Sequence, residues 1–335
     1  MTLPSFFTIV AAYLTIAGAP LASASDWVTY QGHTGPGAGK RIVFLSGDEE
    51  YRSEEGLPML AKILATRYGF HCTVLFAINP QDGAIEPDLQ TNIPGMAALD
   101  SADLVVMLLR FRELPDSDMK HFVDYLNRGK PIIALRTSTH AFAYLRNLQS
   151  PYARFDWQSR DWPGGFGRQV LGETWIDHHG EHGKQSTRGV IDAEFKSHPV
   201  LRGVADLWGP TDVYAVVHPL TDAQVLVRGA VLTGMNPGDP PLAGSKNNPM
   251  MPLVWLRDYR DDAGHRNKIF TTTMGAATDL ECADLRRLIV NACFWCVGLE
   301  DEIPAKANVD YVGAYHPGAF GFGAFKRGVK PEDLE

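Results

Sequence analysis

In the first half of the chain, short apolar runs alternate with stretches of helical periodicity. Arg41 to Ser46 (RIVFLS) is an apolar run that ends in a polar loop, Gly47-Asp48-Glu49-Glu50-Tyr51-Arg52. Leu57, Leu60, Ala61 and Leu64 follow at i, i+3, i+4 and i+7, which is one face of a helix; Ser53 can cap it and Gly69 stops it. Cys72 to Phe76 reads as the next strand, and Asn79 to Pro94, with its Pro, Gly and Asp, as loop. Asp103 to Leu109 (DLVVMLL) is continuously apolar, as expected of a strand covered on both faces. A second helix opens at Asp116 or Ser117, turns Met119, Phe122, Val123 and Leu126 inward and ends at Gly129; Pro131 to Leu135 is again a strand. This succession predicts βαβ units and a mostly parallel sheet in an α/β fold.

The second half is less regular. Candidate strands lie at 189–193, 213–217, 225–227, 253–255 and 268–272, and Leu285, Leu288, Ile289, Ala292 and Trp295 mark a closing helix. Residues 150–188, rich in aromatics, Gly and His, are expected to leave the core as a functional excursion. The Gly-, Pro- and aromatic-rich tail, 300–335, is expected to wrap over the surface. With no internal repeat and no linker, one domain is expected.

The N-terminus bears on the compartment. Phe6 to Ala19 is apolar and uncharged, and Ala22-Ser23-Ala24 follows as a small-x-small cleavage pattern. The run is too short to span a bilayer, so residues 1–24 are expected to be a signal peptide and the protein periplasmic or secreted. No Lys or Arg precedes Lys40, so the usual basic n-region is missing, and a buried N-terminal strand or helix is the alternative. The net charge of −8 argues against nucleic acid or an anionic membrane as the main partner. Four cysteines are too few for a disulfide scaffold at this length. Cys293 and Cys296, three apart in a helical pattern, suit buried small residues better than half of a zinc site.

In open parallel sheets, ligands bind beyond the carboxyl ends of the strands, which singles out five loops. Arg136-Thr137-Ser138-Thr139-His140 sits where hydrolases of such architecture hold a nucleophile, but no glycines flank Ser138 to permit a strained elbow. Arg136 and His140 suit an oxyanion or a proton better, or Ser138 and Thr139 merely cap a helix over a packed His140. Asp177-His178-His179-Gly180-Glu181-His182 is dense in zinc-type ligands and acid–base groups, although it is not H-E-x-x-H. A divalent metal such as zinc held by His178, His179, Glu181 and His182, a metal-free polar pocket and a solvated loop all fit. Asp48, Glu49 and Glu50, with Tyr51 and Arg52, follow the first strand, and Arg110 and Arg112 follow the central one. The arginines can clamp a ligand or pair with the carboxylates. Gly275 to Asp279 is the fifth loop.

Four segments carry a resemblance: RIVFLSGDEEYR, PIIALRTSTHAF, HPVLRGVADLWGPTDVYAV and MPLVWLRDYRDDAGHRNKIFTTTMGAATDL. The third holds His198, Pro199, Gly203, Asp212 and Tyr214 in order, and the fourth Pro252, Trp255, Phe270, Thr272 and Gly275. From about Lys40 to Leu299 the chain resembles the ThuA-like, or trehalose-utilisation, family. The resemblance implies a three-layer sandwich with a flavodoxin-like, class I glutamine amidotransferase-like sheet, and a role in carbohydrate metabolism. Two departures stand out: Gly275-Ala276 replaces a frequent Gly-His, and Arg136 stands where a His is frequent.

Together these observations lead us to expect an enzyme acting on a glycoside or keto-sugar by hydrolysis, elimination or isomerisation. His140 or His179 would move protons, Asp212 and Glu49 would orient the base or hydroxyls, and Arg136 or Arg110 would stabilise a developing oxyanion or enediolate. Asp48, Tyr51, Arg52, Arg110, Ser138, His178 and Tyr214 would contact substrate. The alternative is a non-catalytic sugar-binding module that stacks rings on Tyr152, Phe155, Trp157, Trp162 and Trp175, residues that equally suit a local apolar core. A glutaminase or peptidase is disfavoured because the thiol elbow is missing. The expected partner is a small sugar, with self-association left open.

Overall fold

The computed structural model describes Met1 and residues 25–217 and 220–335. The signal-peptide expectation therefore lies outside the described residues. No helix among the described residues is long and apolar enough to cross a membrane.

The chain begins with β1 (Trp27–Tyr30), β2 (Arg41–Gly47), α1 (Ser53–Tyr68), β3 (His71–Phe76) and β4 (Leu104–Leu109). It continues through α2 (Asp116–Asn127), β5 (Ile132–Leu135), β6 (Thr187–Ile191), β7 (Leu207–Gly209) and β8 (Ala223–Val231). The hairpin β9 (Met251–Arg260) and β10 (Arg266–Thr272) and the helix α3 (Ala283–Cys296) complete it. Leu57, Leu60, Ala61 and Leu64 are all fully buried on α1, and Gly69 ends that helix in the left-handed conformation that spares it a Cβ clash. The α1 cap differs from expectation. Arg52 takes the cap position at φ 56°, while the Ser53 hydroxyl turns back to the Asp48 N–H at 3.1 Å.

One ten-stranded sheet runs in the order β1-β3-β2-β4-β5-β10-β9-β8-β6-β7. Alternate residues of its central strands enter opposite cores. Ile42, Phe44, Val106 and Leu108 meet α1 and α3, whereas Val43, Leu45, Val105 and Met107 meet α2.

The expected mostly parallel, flavodoxin-like and glutamine amidotransferase-like sheet is corrected by this pairing. β3, β2, β4, β5 and β10 are mutually parallel, but β1 on one side and β9, β8, β6 and β7 on the other pair antiparallel. The physical reason lies in the connections. Residues 261–265 join β9 to β10, too short a link for the crossover a parallel pair requires. The expected strand at 213–217 is also absent. That segment instead lies against 177–180, where the His179 and Gly180 N–H groups donate to the Val213 carbonyl and the Ala215 N–H to the Asp177 carbonyl. This short pairing brings the histidine loop to Asp212.

Candidate active site

Arg136 is the first residue after β5 and is fully buried, with a left-handed φ of 38° that is unusual for a residue with a Cβ. Its guanidinium lies between two tyrosine rings, 4.2 Å from the Tyr51 centroid and 4.3 Å from that of Tyr214. It donates to the carbonyls of Thr273 (2.8 Å) and Asp212 (3.1 Å), to the Tyr51 hydroxyl (3.1 Å) and to Asp212 Oδ1 (2.9 Å). One side chain thus ties the loops after β2, β5 and β10 to the 212–215 segment. Being shielded from solvent, Arg136 acts by holding Asp212 rather than by touching a ligand.

Asp212 is buried, and each of its oxygens faces a histidine. His178 Nδ1 lies 2.7 Å from Oδ2, and His182 Nδ1 lies 3.1 Å from Oδ1. Burial alone pushes this carboxyl up, but the bonds from His178 and His182 and the Arg136 charge outweigh it and hold the group well below the ordinary carboxylate range. An ionised carboxylate only accepts, so both Nδ1 atoms carry protons and each ring turns its Nε2 away from Asp212. The His178 and His182 side chains are about one-third exposed, at 33% and 36%. His182 Nε2 lies 3.4 Å from Glu50 Oε1. The bond to Asp212 raises the His182 pKa above its ordinary value against the effect of burial, and the Asp212 and Glu50 charges add to the rise. Burial raises the Glu50 carboxyl, and the neighbouring Asp48 charge adds to that shift.

A small cavity of about 30 Å³ opens beside this cluster, lined by Glu50, Arg110, Phe111, His140, Trp175, His178 and Tyr214. His140 is buried among aromatic rings, 5.0 Å from Phe111 and 5.5 Å from Trp175 between centroids. Burial, followed by the Arg110 and Arg136 charges, drives its pKa well below the ordinary histidine value, so it is a neutral ring.

Other residues singled out in the sequence lie around this centre in different settings. Glu49 is clamped by Arg110 and, at 2.6 Å, by the fully buried Arg112, which joins the loops after β2 and β4. Asp48 accepts from the N–H groups of Glu50 (2.7 Å) and Tyr51 (2.5 Å) and from the Thr137 hydroxyl, so its acceptor sites organise the loop. Ser138 donates to the Met107 carbonyl at 2.9 Å and accepts from the Leu109 N–H at 3.2 Å, a brace between β4 and the turn after β5. His179 Nε2 lies 2.7 Å from the Lys246 carbonyl, pointing away from Asp212, and Glu181 is exposed and paired with Lys184. Arg52 is buried and holds the C-terminal tail through the Ala319 and Gly321 carbonyls. Trp157 and Trp175 join the aromatic wall at 5.9 Å, while Phe155 and Trp162 pack together in the core on the α2 side of the sheet.

As for metal ligation, His178, His182 and Asp212 each offer a ligand atom within 4.8 Å of the others. Sequence reasoning grouped the histidines by adjacency. Adjacency put His179 in the set and left Asp212 out, because the 177–180 backbone pairing that selects between them is not written in the loop. Glu50 and Thr137 were picked out only as members of their loops, and Phe320 was missed. The Phe320 ring lies 5.7 Å from Tyr51 and 5.4 Å from His182, arriving from the far end of the chain.

No family model and no curated protein matches this chain. Among solved structures it is similar to a protein from Parabacteroides merdae ATCC 43184 described as ThuA-like, with 13% identity and a TM-score of 0.48 over 77% of this chain and 90% of that one. It is also similar to a protein from Bacteroides uniformis ATCC 8492 described in the same way, with 13% identity and a TM-score of 0.46 over 80% of this chain and 95% of that one.

Proposed function

We propose that this chain is an enzyme of carbohydrate metabolism that acts on a glycoside or keto-sugar by moving protons between His178, His182 and the substrate. The observation that carries this reading is the pair of partly exposed imidazoles anchored through Nδ1 to one buried, arginine-held carboxylate. A carboxylate in that position fixes the tautomer and steadies the imidazolium that forms. His178 Nε2, which no hydrogen bond occupies among the described residues, serves as the base. His182, kept protonated to higher pH by Asp212 and Glu50, serves as the acid. Arg110 lines the cavity and faces charge that develops on a substrate oxygen. The aromatic walls supply a face for sugar C–H groups. Two carbons of an enolisable keto-sugar presented to this pair exchange a proton without a covalent enzyme intermediate.

The test is a screen of glycosides and keto-sugars with the wild-type chain and with His178→Ala, His182→Ala and Asp212→Asn. Loss of acid–base catalysis lowers turnover about 10²- to 10⁴-fold. Unchanged turnover in all three variants sinks the assignment, and binding without turnover in the wild type favours a sugar-binding module. A second reading, favoured by the mutual closeness of the ligand atoms, is that His178, His182 and Asp212 hold a divalent ion such as zinc and leave a position open for substrate. Elemental analysis decides: near-stoichiometric metal that disappears in a His178→Ala/His182→Ala variant supports this reading. Export rests on the uncharged run Phe6 to Ala19 and its Ala-Ser-Ala end, and N-terminal sequencing of the natural protein tests it.

A further inference from the structure

The enclosed part of the site is small. At about 30 Å³ the cavity beside His178 takes two water molecules, since one needs about 10–15 Å³. A space of that size has room for a single substituent of a sugar. Beside the cavity, against His182 and Glu50, lies the tail. Phe320 packs on Tyr51 and His182, the Gly321 N–H donates to the Glu50 carbonyl at 2.8 Å, and the Gly318 N–H donates to Glu55 Oε2 at 2.6 Å. Arg52, itself buried, fixes the same stretch through the Ala319 carbonyl (3.2 Å) and that of Gly321.

The next residue, Phe322, is 62% exposed, an unusual setting for a phenylalanine. The Arg110 guanidinium lies 5.0 Å from its centroid and 4.5 Å from that of Phe111. Arg110 is in turn fixed by Glu49 and Glu50. Phe111 and Arg110 line the cavity and Phe322 does not, so the stack Phe111–Arg110–Phe322 leads outward from the reacting groups. Its outer end is an aromatic ring set against Arg110 on one side and largely open to solvent. Such a face suits a flat apolar surface, such as an aryl ring or the C–H side of a second sugar, at little entropic cost.

We propose that residues 318–322 form a substrate-binding wall of this site and that Phe322 is the platform for the second ring of a two-ring glycoside, its aglycone or a second sugar. The proposal rests on the carbohydrate reading above and adds the substrate class: glycosides with a ring leaving group rather than free monosaccharides. Phe322 is exposed, so its replacement leaves the fold intact.

The experiment measures binding of methyl and 4-nitrophenyl glycosides of the α and β anomers of common hexoses to the full chain by ligand-observed NMR and calorimetry. The proteins are wild type, Phe322→Ala, Phe322→Tyr and Asp212→Asn. Expected is a loss of about two- to tenfold in affinity for the 4-nitrophenyl ligand in Phe322→Ala, the size of an aromatic pair contribution. Phe322→Tyr restores it, and the methyl glycoside is unaffected by either change. Equal affinities in wild type and Phe322→Ala, or no binding of any 4-nitrophenyl glycoside by the wild type, overturn the platform. Failure of the acid–base reading shows separately, as Asp212→Asn that turns over substrate like the wild type.

Discussion

Asp212→Asn removes one charge from a buried cluster and leaves its shape unchanged, so its effect isolates the electrostatics. In the native chain the carboxylate faces three donors at 2.7, 2.9 and 3.1 Å: His178, Arg136 and His182. An asparagine accepts through one oxygen only, and its amide turns a donor toward one of the histidines. Taking one member from a buried ion pair costs about 3–5 kcal/mol, because the remaining charge loses its counter-ion without regaining water. Arg136 keeps its two carbonyl acceptors and both tyrosine faces, which places the loss at the lower end, about 3 kcal/mol. Urea unfolding of wild type and variant at pH 7 measures it. NMR titration of His182 gives a second readout: its raised pKa, which depends first on the bond to Asp212, falls toward the ordinary histidine value. A stability loss under about 1 kcal/mol together with an unshifted His182 titration refutes the reasoning, since it would mean that Asp212 is neutral or solvated.

Three further outcomes follow from the same structure. Ser138→Ala leaves turnover unchanged but costs about 1–3 kcal/mol in urea unfolding, because the Leu109 N–H loses its acceptor in the core; abolished turnover in a folded variant would make Ser138 a nucleophile instead. Glu54 is buried, neither of its oxygens is hydrogen-bonded, and the Arg52 guanidinium lies 3.6 Å away; burial outweighs that charge and pushes the carboxyl up to about 8. A folded pKa above the unfolded one stabilises the chain at pH values below 4.5 and the benefit is lost as pH rises to 8, so Glu54→Gln gains stability with rising pH, by about 3 kcal/mol at pH 7; an equal gain at pH 5 and pH 7.5 overturns this. A thiol reagent modifies Cys282 in the native chain and not Cys72, Cys293 or Cys296, whose thiols are buried and pushed up by burial; rapid labelling of any of the latter three contradicts the packing.

The elements of the first half were legible because each is decided locally. DLVVMLL is apolar on both faces wherever it goes, and the Leu57 to Leu64 stripe specifies a helix by itself. Strand direction in the second half was not legible, because apolar runs at 253–255 and 268–272 carry no arrow; only the brevity of the Asp261 to His265 link encodes the antiparallel turn. The site divided in the same way. Candidate loops could be picked from their position after strands, and Arg136, Asp212, Tyr51, Tyr214 and His178 all occupy one cluster. Which of two neighbours faces inward was not available: Glu50 meets His182 while Glu49 is taken by Arg110 and Arg112, and His178 meets Asp212 while His179 turns to Lys246. Those choices are made by backbone pairings between segments far apart in the chain.

The grip of Arg52 on the Ala319 and Gly321 carbonyls has a consequence in time. Polypeptides emerge N-terminus first, and domains fold as their residues become available. The last strand closes the sheet at Thr272 and α3 ends at Cys296, so the carbonyls that Arg52 binds are synthesised after every strand and helix of the sheet and its layers. Until those carbonyls arrive, the Arg52 guanidinium has the Glu54 carboxylate, 3.6 Å away in the finished fold, as its counter-charge but lacks its two backbone acceptors. A product cut short after α3 therefore lacks both carbonyl acceptors of Arg52 and the Phe320 ring that packs on Tyr51 and His182.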